Sequence, residues 1–329
     1  MYLLHINDIP GLNQYLHLNK WLHTNEVVTE LTVPGSGNMN CVLRLKTNLA
    51  NTYIIKQSKG YVEKYPQVPA PTNRVIIEAA FYQCVKNNAF LQSGMPILLQ
   101  LDESNNCILL QDLGQATDYN FLYESSQKLS ENEAIQLTQY LQVLHQMEFA
   151  LKNPLLQNIE MKKLNHQYIF DHPLQQNNGV DLDAITPGLR AIAAPYLSDT
   201  LFKQKVKQLG TQYLAEGTCL LHGDYYPGSW LNTATGIKII DPEFCFFGSP
   251  EFDLGVMLAH CYLSAQPQII IDTITQHYQQ NNNFNNILLQ QYTGIEILRR
   301  IVGLAQLPIN ATLQQKATLL QQSYNLINQ

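Results

Sequence analysis

The 329 residues carry 45% hydrophobic and only 14% charged side chains, with 20 Lys and Arg against 26 Asp and Glu. Such a chain can bury one large core or two modest ones, which excludes wholesale disorder. A net charge of −6 leaves no basic footprint for a broad phosphate-backbone binder, although a local cationic pocket for a small anion is still allowed.

In chain order, segments 26–33, 41–45 and 52–56 are rich in β-branched and apolar residues and read as strands. The turn-rich stretch Pro34-Gly35-Ser36-Gly37-Asn38-Met39-Asn40 lies between the first two. Ile76, Ile77, Ala80, Phe81, Cys84 and Val85 follow helical spacing and predict a helix over 74–86. Strands are expected at 97–101 and 107–110. The pattern then turns helical, at 132–149, 200–214, 252–263 and 290–307, with short apolar strands at 219–221 and 237–240. The polar tract 279–283 reads as a loop, and the segment 165–187 reads as a helical insert shaping the pocket, without a clear placement. Antiparallel strands followed by helices predict an α+β chain in two lobes, 1–113 and 114–329, hinged near 111–116.

No apolar run reaches the roughly 18 residues of a membrane span. Residues 1–5 lack the basic flank and cleavage site of a secretory leader. The six cysteines, Cys41, Cys84, Cys107, Cys219, Cys245 and Cys261, are scattered and never paired as C-x-x-C. They read as buried free thiols of a cytoplasmic protein. A membrane or nucleic-acid partner is not expected, and a homodimer is left open.

Two acidic clusters each follow a short apolar strand: His222-Gly223-Asp224 and Asp241-Pro242-Glu243. Facing each other, their loops would offer one carboxylate to accept a proton and two to hold a metal, and such oxygens suit Mg²⁺ with phosphate as a further ligand. A bland alternative makes them two aspartate turns. Gly35 and Gly37 would let backbone approach phosphates, although such a tip is often only a turn. Lys56, ending an apolar strand, could reach phosphates or could simply snorkel. Glu78, on the following helix, is placed to pair with it. Arg299 and Arg300 interrupt an apolar helix. In one reading both serve the site. In the other, one faces solvent and its neighbour pairs with Glu296, because adjacent helical positions point about 100° apart. In this order the parts match a protein-kinase-like fold.

The His222-Gly223-Asp224 loop resembles that of the aminoglycoside phosphotransferase and choline kinase group. The fuller set is similar to the 5-methylthioribose kinases: Gly35-Ser36-Gly37-Asn38-Met39-Asn40, Ile55-Lys56-Gln57, Asp241-Pro242-Glu243 with Phe252-Asp253-Leu254-Gly255, and Arg299-Arg300-Ile301-Val302-Gly303. The resemblance implies a protein-kinase-like two-lobe fold and ATP-dependent phosphorylation of a hydroxyl on a sugar-like small molecule. It implies Asp224 as base and Asp241 and Glu243 as Mg²⁺ ligands. It further implies Gly35, Ser36, Gly37, Asn38, Lys56 and Glu78 around the ATP phosphates, Gln111, Asp112 and Leu113 at adenine, and Arg299 and Arg300 on sugar or phosphoryl group. Ser229 occupies the place of an asparagine metal ligand in the wider group, and the methylthioribose kinases are similar in carrying serine there. Segment 67–74 lacks the tryptophan those kinases carry, and the chain is shorter than theirs. The competing functions are a kinase for an aminoglycoside, choline-like or amino-alcohol substrate, and a catalytically silent nucleotide-binding module. His222, Tyr225 and Trp230 are expected to brace or line the core, and His145 and His166 have no metal-ligand spacing.

Overall fold

The protein is described from a computed structural model covering residues 2–35, 37, 39–124, 127–147, 153–175, 177–280, 284–307 and 309–329. The chain divides into two compact units. The first comprises Met1–Ala116 with Thr233–Phe244, and the second Thr117–Asn232 with Cys245–Gln329. The chain therefore passes between units at three places, where a single boundary after residue 113 would give one. Segment 233–244 joins the first unit through its own bonds: Ile239 N donates to Gly94 O at 2.7 Å, and Lys238 Nζ to Ser93 O at 2.6 Å.

The first unit holds an antiparallel five-stranded sheet in the order Val28–Thr32, Cys41–Thr47, Thr52–Gln57, Cys107–Gln111, Leu98–Asp102. All the early strand expectations fall on it. The predicted helix forms over Arg74–Val85. Composition gave no sign of the N-terminal helix Ile9–Leu18, which Asp8 caps by accepting from Gly11 N at 2.9 Å. Its Leu12, Tyr15 and Leu16 bury against Leu43, Leu45, Ile55 and Leu109 of the sheet. A short hairpin, Tyr61–Val62 with Tyr65–Pro69, was likewise unforeseen.

The second unit is mainly helical around its own apolar core. Helix Glu131–Gln146 starts in a capping box, Ser130 with Glu133, and ends before Met147, so the expected continuation to Phe149 runs outside the described residues. Helix Thr200–Leu214 and strand Cys219–Leu221 stand where they were expected. That strand pairs antiparallel with Phe246–Gly248. Helices Glu251–Leu263 and Asn286–Val302 pack closely: a Cβ on Gly255 would lie 2.8 Å from Tyr292 Cβ. The second of them stops five residues short of its expected end: Gly303 N still closes the last helical bond, to Arg299 O at 2.9 Å, but Gly303 itself turns extended, at ψ −179°. Any side chain at 303 would meet that carbonyl at 2.5 Å. One correction concerns a polar stretch. Gln279 closes helix Gln268–Gln279 rather than opening a loop, and 281–283 lie outside the described residues. Segment 165–187 contains a π-turn Gln167–Asp171 and a short helix Leu182–Ile185.

Candidate active site

In the first unit, strand register seats Lys56 between Val42 and Ile108 of its neighbours. The lysine is buried, and its Nζ meets Glu78 Oε1 at 2.8 Å and Asp241 Oδ1. Burial works against the ammonium, but Asp241 and Glu78 outweigh it and hold the Lys56 pKa above the usual lysine range. Glu78 is fully buried on helix Arg74–Val85 and also accepts from Tyr82 Oη at 2.9 Å. The strand-lysine and helix-glutamate pair is thus assembled, with Asp241 as a third member. Asp241 adopts φ +63°, a left-handed conformation that costs a non-glycine residue roughly 1–2 kcal/mol. Its side chain remains 43% exposed.

Glu243 sits two residues further, on the 3-10 turn Pro242–Phe244, and is buried. Burial pushes its carboxyl up to about 7, against the pull of Arg74, whose Nε lies 3.2 Å from Oε2. Arg74, the first residue of its helix, is itself fully buried. It donates to Asn40 Oδ1, Met39 O, Lys59 O, Pro71 O and Tyr61 O, so one guanidinium ties the exit of the glycine segment to the acidic turn. Sequence reasoning passed over Arg74; a cation opening an apolar helix in a chain this poor in cations was the available signal.

Gly35 and Gly37 lie in the connection between Val28–Thr32 and Cys41–Thr47, whereas Ser36 and Asn38 lie outside the described residues. A Cβ added at Gly35 would meet nothing within 4 Å, and one at Gly37 nothing nearer than 3.7 Å. The chain's own packing therefore does not demand glycine at either place. Gln111 ends its strand, and Asp112 holds Arg44 through two contacts at 2.9 and 3.0 Å while accepting from Gly114 N at 3.0 Å. The Asp112 carboxylate is thus committed to bracing the segment.

In the second unit, the loop after strand Cys219–Leu221 is shaped by Asp253, whose carboxylate accepts from His222 N at 2.6 Å and Gly223 N at 2.9 Å. Gly223 takes φ +83°, which a β-carbon would penalise. Asp253 was visible in its motif but had been given no role. His222 is fully buried beside it, and Tyr225 and Trp230 are core residues, with Tyr225 Oη donating to Leu137 O at 2.8 Å. His145 bonds Tyr278 Oη at 2.7 Å and faces Asp253.

The Asp224 side chain is 22% exposed, and its Oδ1 lies 3.7 Å from Arg299 Nη2 and 3.5 Å from Arg300 Nη2. Burial raises its pKa above the usual aspartate value, although Arg300 and Arg299 pull it down. Both arginines are buried and both bond Glu296, so neither of the two arginines faces solvent. Ser229, also buried, donates its hydroxyl to Asp224 O at 2.9 Å, which braces the loop from within.

Two carboxylates with one residue between them offer hard oxygen donors, and the half-exposed Asp241 can be reached from outside, so the acidic turn fits a hard divalent cation. Among the described residues no group of three or more His, Cys, Asp and Glu converges as a ready-made metal cage. An ion there would take its remaining ligands from phosphate and water, as Mg²⁺ commonly does. All six cysteines are free, although Cys41, Cys84 and Cys219 are only partly buried.

The sheet carrying a lysine–glutamate pair, joined to a helical unit with an H-x-D loop, defines a protein-kinase-like phosphotransferase. Solved structures agree in fold. Choline kinase LicA from Streptococcus pneumoniae aligns over 96% of this chain and 97% of its own, with a TM-score of 0.54 and 14% identity. A spectinomycin phosphotransferase solved with ADP and its antibiotic aligns over 96% of both chains, also with a TM-score of 0.54 and 14% identity. The phosphotransferase enzyme family matches residues 31–286, and the chain belongs to that family. It is an ATP-dependent small-molecule kinase that acts on a hydroxyl group. Among curated relatives, methylthioribose kinases of Bacillus cereus and Bacillus thuringiensis are 23% identical over 87% of this chain and 82% of their own length. Among the described residues no helix is long and apolar enough to cross a membrane.

Proposed function

We propose that this chain transfers the γ-phosphoryl group of ATP to a hydroxyl of methylthioribose or a closely related pentose. The carrying observation is Asp224, a raised-pKa carboxylate flanked by two buried arginines at 3.5 and 3.7 Å. Arginines beside the base favour a neutral or anionic acceptor; choline, an amino alcohol or a polyamine antibiotic would call for acidic side chains there. The names of the curated relatives support the sugar. Asp224 accepts the proton of the attacking hydroxyl while its oxygen bonds to the γ-phosphorus and the bond to the ADP oxygen breaks. Lys56, held by Glu78, meets the phosphates, and Gly35 and Gly37 leave room for them. Ser36 and Asn38 are assigned to the same loop by resemblance. The backbone of Gln111, Asp112 and Leu113 meets adenine. Arg299 and Arg300 offset charge on the transferring group. Asp241 and Glu243 would hold Mg²⁺, which neutralises charge on the β- and γ-phosphates. Ser229 is kept as a bracing group of the base loop and a candidate oxygen donor. Six free thiols accord with a reducing, cytoplasmic setting.

The test is an ADP-release assay with methylthioribose, ribose, choline and an aminoglycoside, on the wild type and Asp224→Ala. Turnover with the thiosugar is expected, and the variant should lose roughly 10²–10⁴-fold in kcat while ATP affinity stays within threefold. Near-normal turnover by Asp224→Ala would sink the assignment of the base. Preference for choline or the aminoglycoside would replace the sugar.

A further inference from the structure

Glu296 lies one helical turn before the arginine pair and is 1% exposed. Its Oε1 accepts from Arg300 Nε at 2.7 Å, and its Oε2 accepts from Arg299 Nε. The same Oε1 lies 3.0 Å from His260 Nε2, and His260 Nδ1 lies 2.5 Å from Tyr123 Oη. Burial would raise the Glu296 pKa, but the two arginines hold it well below the carboxylate range, so the group is an acceptor only. The shared proton therefore sits on His260 Nε2, which makes Nδ1 the acceptor of the Tyr123 hydroxyl. A directed chain results, from Tyr123 through His260 to Glu296 and on to both guanidinium groups.

The arginines meet the two carboxylates differently. Toward Glu296 their Nε–H groups make full hydrogen bonds. Toward Asp224 only Nη2 atoms approach, at 3.7 and 3.5 Å, outside the 2.7–3.2 Å of an N–H···O bond. Released from Glu296, an arginine facing an aspartate would close into a short or bidentate pair and occupy its lone pairs. We propose that Glu296 is a positioning residue of the acceptor site: it anchors Arg299 and Arg300 by their Nε atoms, keeping them beside Asp224 without hydrogen-bonding it. The Asp224 oxygens then stay open to the acceptor hydroxyl and the Nη2 atoms to phosphoryl oxygens, while Arg300 Nη1 is taken by Ala305 O at 3.4 Å. Charge is balanced within the quartet, two anions against two cations. This inference rests on the reading of Asp224 as the base.

The test compares wild type, Glu296→Gln and Glu296→Asp in full-length protein, by steady-state kinetics with methylthioribose and by NMR exchange of the Arg299 and Arg300 Nε protons. Glu296→Gln should lower kcat by about 10–100-fold, the scale of a misplaced catalytic constellation, with KM for ATP within twofold and both Nε protons exchanging faster. Glu296→Asp, which keeps the charge, should recover part of kcat. Unchanged kcat, or Nε protons as protected as in wild type, overturns the proposal; so does an equal rise in KM for both substrates, the mark of a merely structural role. If Glu296→Gln fails to fold, Tyr123→Phe loosens the same chain from its far end. It should lower kcat a few-fold with faster Nε exchange, and no change in either overturns the idea. If wild type phosphorylates no alcohol, the reading of Asp224 fails, whereas the exchange comparison still decides whether Glu296 anchors the pair.

Discussion

At the scale of single residues, the charges around Asp224 balance one another largely out of contact with water. His260 shows the consequence for stability. It is fully enclosed, and burial lowers its pKa to about 4 despite the hydrogen bond to Glu296. The folded imidazole is neutral, whereas in the unfolded chain it titrates near 6.5. Below that value the unfolded state binds the extra proton, so stability is full above pH 6.5 and is lost as pH falls toward 4. A shift of this size corresponds to roughly 3 kcal/mol. Urea unfolding at pH 7 and pH 4.5 should show that slope in wild type and a flatter one in His260→Gln; identical slopes would contradict the assignment. Arg74 makes the complementary case. Removing it takes a charged donor from buried Glu243 and Asn40 and from several carbonyls, so Arg74→Ala should cost about 3–5 kcal/mol in denaturant unfolding. Of these residues the motif reading named the lysine, the carboxylates and the arginine pair. It missed Arg74 as a clamp and gave Asp253 and His260 no role, because a role that consists of holding another side chain has no local pattern.

At the scale of elements, periodicity found those whose apolar faces are regular. Helix Arg74–Val85, helix Thr200–Leu214 and the sheet strands were legible for that reason. Helix Leu313–Ile327, which begins in a capping box of Thr312 and Gln315, was not read, because its Gln-rich surface masks the apolar stripe. The contact of Glu251–Leu263 with Asn286–Val302 sets where Asp253 and the arginines stand in the second unit. Gly255 is crowded there by Tyr292 Cβ and by Thr293 N at 3.1 Å. Gly255→Ala should therefore destabilise by about 1–3 kcal/mol through overpacking and lower kcat more than it changes KM for ATP. A variant of wild-type stability and rate would show that the contact tolerates a methyl group.

At the scale of the whole molecule, the chain forms two compact units, each with its own core, and the proposed function puts the nucleotide on the first and the acceptor on the second. ATP with Mg²⁺ should stabilise the fold by about 2.7 kcal/mol at one hundred times its dissociation constant. Calorimetry should show that increment shrinking when EDTA removes the ion, and shrinking likewise in Asp241→Asn. An EDTA-insensitive increment would argue against the acidic turn as the cation site. By itself the sequence determined the fold class, because strand alternation and helical spacing are local patterns, and the family, through motifs that resemble those of its kinases. Only the tertiary structure decided that both arginines turn to the same aspartate. Adjacent helical positions diverge by about 100°, and it takes a shared buried anion, Glu296, to bend two long side chains back together. It also decided that residues 233–244 belong with the first unit, since Lys56 and Arg74 reach across 185 and 169 residues of chain to hold Asp241 and Glu243. Ion pairs of that sequence separation leave no periodic trace; they exist only once the chain has folded.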